Sequence, residues 1–166
     1  MTSVSTAPRR RPSFGFTLIE LVVTLFILGI LASAAVPLAE LGFKRHREEE
    51  LRRALNTIRD ALDLYKKASD EGHIELGPLD SGYPPNLKML VYGVPDALSA
   101  SPRKICLLRR IPSDPMISDD LAASDDIWGE RSYESEADHP SKGNDVYDIY
   151  SLSSDTGLNG IPYSKW

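Results

Sequence analysis

An α+β fold is predicted for this chain: a long N-terminal helix whose second half packs on a small antiparallel sheet. Three observations carry the expectation. From Leu21 to Leu38 the only polar side chains are Thr24 and Ser33. Beyond Gly42, apolar residues recur at Leu51, Leu55, Ile58, Leu62 and Tyr65, with Ala54 and Ala61 beside them, which is the three- and four-residue spacing of one helix face. The C-terminal part then offers short strand-like runs separated by Gly, Pro, Asn and Asp, the punctuation of a small sheet.

The first element is the apolar run. Counted from Phe16 it is about 20 residues long, enough to cross ~30 Å of hydrocarbon as a helix. Arg9, Arg10 and Arg11 precede it and place that end in the cytoplasm by the positive-inside rule. The rest of the chain then faces a periplasm or the exterior. Glu20 is the anomaly, a carboxylate at the mouth of the run, where charge is expensive. A secretory signal peptide would use the arginines, a core from Leu21 to Leu31 and a cut after Ala32-Ser33-Ala34. A plain signal anchor would use the same run uncut. Neither gives Glu20 a purpose.

A third reading does. If the chain is cut between Gly15 and Phe16, the helix is retained and Phe16 carries a new α-amino group, which is positive near neutral pH. Glu20 lies one helical turn further on. In an assembly, Glu20 of one subunit pairs with the Phe16 amine of its neighbour, so that two otherwise costly charges neutralise each other inside a helix bundle. The pair then acts as a register device.

The helix is expected to run on from the membrane to about Ser69, roughly 80 Å at 1.5 Å per residue. Glu48 to Arg52 and Glu49 to Arg53 offer four-residue acid-to-base pairs, and Lys44, Arg45 and Arg47 read with them as a solvated helix face. Gly72 is the expected stop. Residues 73–86 read as a loop, and Pro85 opens a short helix through Leu87, Leu90 and Val91. Lys104 to Arg110, Trp128 to Glu134 and Asp145 to Leu152 are strand candidates, with an acidic loop from Ser118 to Asp126 between the first two. Four segments follow: residues 1–15 as a leader, 16–38 as the membrane helix, 39–71 as its amphipathic continuation and 72–166 as an exported α+β part.

Composition narrows the function. The 166 residues hold 19 basic and 24 acidic side chains, a net charge of −5. Residues 1–15 carry three arginines and no acid, so their removal leaves −8. An acidic exported domain is a poor partner for nucleic acid, which needs clustered Lys and Arg. Cys106 is the sole cysteine, so no intrachain disulfide forms; its apolar flanks predict a buried strand position. His46, His73 and His139 have no zinc spacing, and no nucleophile elbow, phosphate loop or dinucleotide fingerprint is present. Asp119, Asp120, Asp125 and Asp126 read as a solvated loop. The chain is not expected to be an enzyme.

Gly15-Phe16-Thr17-Leu18-Ile19-Glu20, behind a basic leader and ahead of an apolar helix, resembles the prepilin-peptidase site of type IV pilins and type II secretion pseudopilins. The resemblance implies cleavage after Gly15, N-methylation of Phe16, an assembly role for Glu20, and a helix-bending proline at Pro37. Three later stretches resemble the G-type (major) pseudopilin of type II secretion: Tyr83-Pro84 with Leu87 and Leu90, Ile111-Pro112-Ser113-Asp114-Pro115 with Trp128-Gly129, and Asp148-Ile149-Tyr150-Ser151-Leu152 with Ser154-Asp155 and Trp166. The implied protein is a subunit of a periplasmic fibre for protein export, anchored in the inner membrane of a Gram-negative bacterium. Its implied partners are copies of itself, other pseudopilins, the prepilin peptidase, an inner-membrane assembly platform and membrane lipid. A minor type IV pilin, or a soluble periplasmic binding protein released after Ala34, are the alternatives. Proteins of the G type bind calcium through an acidic loop after the strand matched by Asp148 to Leu152. Here Asp155 is the only acid left in that loop. Calcium takes six to eight oxygens, so a turn without metal or other cofactor is expected, and calcium at Asp155 with Asn159 and backbone carbonyls is the alternative.

Overall fold

A computed structural model of the chain describes residues 15–117 and 127–166. The leader arginines Arg9 to Arg11 and the acidic stretch from Ser118 to Asp126 lie outside the described residues. The chain divides into two units, Met1–Gly42 and Phe43–Trp166.

Helix α1 spans Leu18–Asp70, with Pro37 inside it. Its start is set by Thr17, whose Oγ1 accepts the Glu20 amide at 3.3 Å. Thr17 and Glu20 have the S/T-x-x-E spacing of a helix start, a sequence signal that the membrane pattern overshadows. Its end is set by Gly72 at φ 81°. The Gly72 amide bonds to the Ser69 carbonyl and the His73 amide to the Ala68 carbonyl, the paired closure that only a residue free to enter the left-handed region makes cheaply.

The two stretches of α1 are covered differently. Among the described residues of the first unit the large apolar side chains, such as Leu21, Leu25, Phe26, Leu28 and Leu31, are all exposed. In the second, Leu51, Ala54, Leu55, Ile58, Ala61, Leu62 and Tyr65 are buried. They form the stripe read from the sequence. Ile74, Leu87, Leu90, Val94, Trp128, Val146, Ile149 and Tyr163 complete this core. Each fully buried Leu or Ile contributes about 1.5–3 kcal/mol, so the stripe is the main reason this part of the helix holds its partners.

Helix α2 spans Lys88–Tyr92. It begins three residues after Pro85, with the Asn86 side chain accepting the Met89 amide at 3.2 Å. Strands β1, Val94–Pro95, and β2, Lys104–Ile105, form one antiparallel pair. Strands β3, Trp128–Arg131, and β4, Asp148–Ser151, form a second, with Trp128 opposite Ser151 and Arg131 opposite Asp148. A 3-10 turn, Tyr163–Lys165, follows.

The expected single sheet is thus two separate two-stranded ladders, and all three strand candidates are shorter than predicted. After Ile105 the amides of Leu107 and Leu108 both donate to the Leu90 carbonyl at 2.9 Å. They close the end of α2 and do not extend a strand. Cys106, expected in a buried strand, is exposed for the same reason. The Val146 amide is diverted similarly, donating to Pro84 O at 2.8 Å, whereas the next amide, of Tyr147, already donates to Arg131 O of β3 at 2.8 Å.

In the second ladder Gly129 stands opposite Tyr150, and a Cβ on Gly129 would run into the Tyr150 ring. Gly129→Ala should therefore swing that ring outward and cost about 1–3 kcal/mol, the usual penalty of overpacking. A thermal midpoint for the full chain equal to the parent's would show that the ring does not depend on the missing side chain.

Candidate functional site

Two places matter, the start of α1 and the loop after β4. At the first, Gly15 and Phe16 precede the helix as exposed, non-helical residues, so the Gly15–Phe16 bond lies ahead of the first turn. Glu20 lies in that first turn. Its carboxylate is exposed and, among the described residues, meets no cation. A carboxylate there suits the positive end of the helix dipole. It is also the lone charge from Phe16 to Leu38, where Thr17, Thr24 and Ser33 are the only other polar side chains. An exposed apolar surface of this extent needs lipid or other helices to cover it.

At the second place the helix supplies unexpected partners. Glu48 is only 8 % exposed. Its Oε1 accepts the Leu158 amide at 2.7 Å and the Tyr163 hydroxyl at 3.0 Å. Burial, and next the bond to Glu48, push the Tyr163 hydroxyl up to about 12. Lys44 Nζ donates to the Thr156 carbonyl at 2.8 Å, and Arg47 Nε to the Pro115 carbonyl at 2.9 Å. The solvated helix face expected from the sequence is therefore, in part, a docking face for two loops. Nor do the expected four-residue pairs form among the described residues. Arg52 instead lies over the Trp166 ring at 4.5 Å, and Arg53 Nε donates to the backbone carbonyl of Glu49 at 3.2 Å.

Arg59 finds its partners far away in the chain. Its Nε donates to Asp148 Oδ1 at 2.8 Å, and its Nη2 to the carbonyls of Ile149 and Trp166 at 3.1 and 2.7 Å. One guanidinium ties α1, β4 and the Trp166 backbone together, as its fork of donors allows. The two parts of one sequence motif also meet. Trp128 Nε1 donates to Pro112 O at 2.9 Å, so Ile111-Pro112-Ser113-Asp114-Pro115 is anchored by Trp128.

Asp155 is exposed, and its backbone carbonyl accepts the Tyr163 amide at 3.1 Å. Calcium demands several carboxylate and carbonyl oxygens in one shell. In this loop the Thr156 carbonyl already accepts an ammonium, the Ile161 carbonyl accepts the Gly157 amide, and Asn159 Oδ1 accepts the Ile161 amide at 3.0 Å. The described residues hold no group of three or more His, Cys, Asp or Glu that could hold a metal ion. His46, His73 and His139 each lie beside a different carboxylate, Glu50, Asp96 and Glu136, and form no common centre.

A long helix, apolar and exposed over its first stretch and striped over its second, joined to a small α+β part, defines a pilin-like subunit. Residues 10–36 match the prokaryotic N-terminal methylation motif. The chain is 31 % identical over 110 residues to the type II secretion system core protein G of Klebsiella pneumoniae, a match covering 63 % of this chain and 70 % of that protein. No solved structure matches it. The chain belongs to the type II secretion pseudopilins, a family of structural subunits and not of enzymes.

Proposed function

We propose that this chain is a structural subunit of the pseudopilus, processed at Gly15–Phe16 and assembled through Glu20. The observation that carries the reading is an exposed carboxylate in the first turn of an apolar helix, without a cation among the described residues, one turn beyond a Gly-Phe bond, within the methylation motif. The precursor sits in the inner membrane as a single-pass protein, with Arg9 to Arg11 in the cytoplasm and residues 43–166 in the periplasm. Prepilin peptidase cuts after Gly15 and methylates Phe16. An assembly platform draws subunits out of the lipid, and their apolar helices pack into a fibre core with copies of this chain and other pseudopilins. Pro37 bends the helix there by removing one backbone hydrogen bond. Growth of the fibre drives protein export, and catalysis by this chain has no part in it.

The test is the N-terminal residue of the mature protein. Mass spectrometry of chain recovered from membranes should find N-methylated Phe16. A mature chain beginning at Ala35 and free of the membrane would overturn the proposal in favour of a released periplasmic protein.

A further inference from the structure

The loop after β4 returns on itself through a lone bridge between Thr156 and Pro162, with the Gly157 amide on Ile161 O at 2.9 Å. Bonds of this kind shape the loop, and the Tyr163 amide on the Asp155 carbonyl and Trp166 Nε1 on the Ile161 carbonyl tie it to the C-terminal turn. Its attachment to α1 comes from Lys44 and Glu48, one helical turn apart. Lys44 Nζ sits on the Thr156 carbonyl at 2.8 Å. Glu48, nearly buried, takes the Leu158 amide at 2.7 Å and the Tyr163 hydroxyl at 3.0 Å.

This is the work that a bound cation does for an acidic loop, with the charges redistributed. A calcium ion would gather carbonyls and carboxylates of the loop around one positive centre. Here the positive centre is an ammonium on the loop's carbonyl, and the carboxylate belongs to the helix and grips the loop's amide. A metal placed at the Thr156 carbonyl would face the Lys44 charge directly and would find only Asp155 as a carboxylate in the loop. Charged hydrogen bonds of this kind are short and roughly twice as strong as neutral ones.

We propose that Lys44 and Glu48 lock the 152–162 loop in the place of a metal ion, so that this subunit holds the loop's shape without calcium. The proposal does not depend on the fibre reading, because it concerns the folding of one chain.

The experiment uses the full-length protein in detergent micelles, with thermal unfolding followed by tryptophan fluorescence and hydrogen exchange read over residues 156–163. The parent chain should unfold at the same temperature in millimolar calcium chloride as in a chelator. Lys44→Met should lower the midpoint by about 2–4 °C and speed exchange in residues 156–163 at least tenfold, with calcium restoring neither. Glu48→Ala should do the same more strongly; if it fails to fold, Lys44→Met alone decides. A rise of several degrees with calcium in the parent, or unchanged exchange in Lys44→Met, would overturn the proposal.

Discussion

Glu20→Ala is expected to enter the membrane as well as the parent chain does, to be processed to the same mature N-terminus, and to form no fibres. Insertion is spared because the substitution removes a charge from an apolar run, which lowers the cost of burial in lipid. The helix start is spared too, since Thr17 Oγ1 binds the backbone amide at position 20 and not its side chain. Assembly is not spared. In the packed bundle the neighbour's Phe16 amine would be left without its counter-charge. An uncompensated buried charge costs about 3–5 kcal/mol, and even ~3 kcal/mol weakens a contact more than a hundredfold. The loss recurs at every subunit along the fibre. Glu20→Gln isolates the charge, because it keeps the length and shape of the side chain. Sheared fibres and cross-linked ladders should be missing from both variants. Normal fibres from Glu20→Gln would rule out the pairing, whatever Glu20→Ala does.

The start of the chain is legible in sequence because its information is one-dimensional. A Gly-Phe bond, a carboxylate four residues on and an apolar run are all spacings along one helix. The stripe from Leu51 to Tyr65 is legible for the same reason, as is the stop at Gly72. The C-terminal part is less so. Alternating apolar residues tell where the backbone is extended, not where its amides find partners. Leu107 and Leu108 read as strand, yet both amides turn to Leu90. The charges on α1 fare worst. By spacing alone Glu48 belongs with Arg52. Which acid is covered depends on the return of residues 158 and 163 over it, and no local pattern encodes that return. Arg59 gives no signal at all, since its three acceptors lie on Asp148, Ile149 and Trp166. The sequence names the family branch; the means by which the loop after β4 is held appears only once the chain is folded.

Ile58→Ala should produce the largest stability loss of any single substitution on the stripe while leaving membrane insertion untouched. Ile58 is 0 % exposed and sits at the middle of the run from Leu51 to Tyr65, so its side chain cannot be replaced by water or by a shifting terminus. Truncation removes its transfer free energy and leaves a cavity, together about 3–4 kcal/mol for an Ile in a close-packed core. Against a total of about 5–15 kcal/mol for a domain that is a large fraction. Trp128, 4 % exposed in the same core, reports the transition by fluorescence even while the apolar helix stays folded in detergent. Its midpoint should fall by about 10 °C. Leu64 lies on the same helix but is 51 % exposed, and Leu64→Ala should stay within about 0.5 kcal/mol of the parent. Equal midpoints for the two variants would mean that the stripe does not carry the fold. The contrast with Glu20 is informative as well. Ile58→Ala should lower the amount of subunit through turnover of the unfolded part, whereas Glu20→Gln should leave the amount unchanged and remove only its assembly.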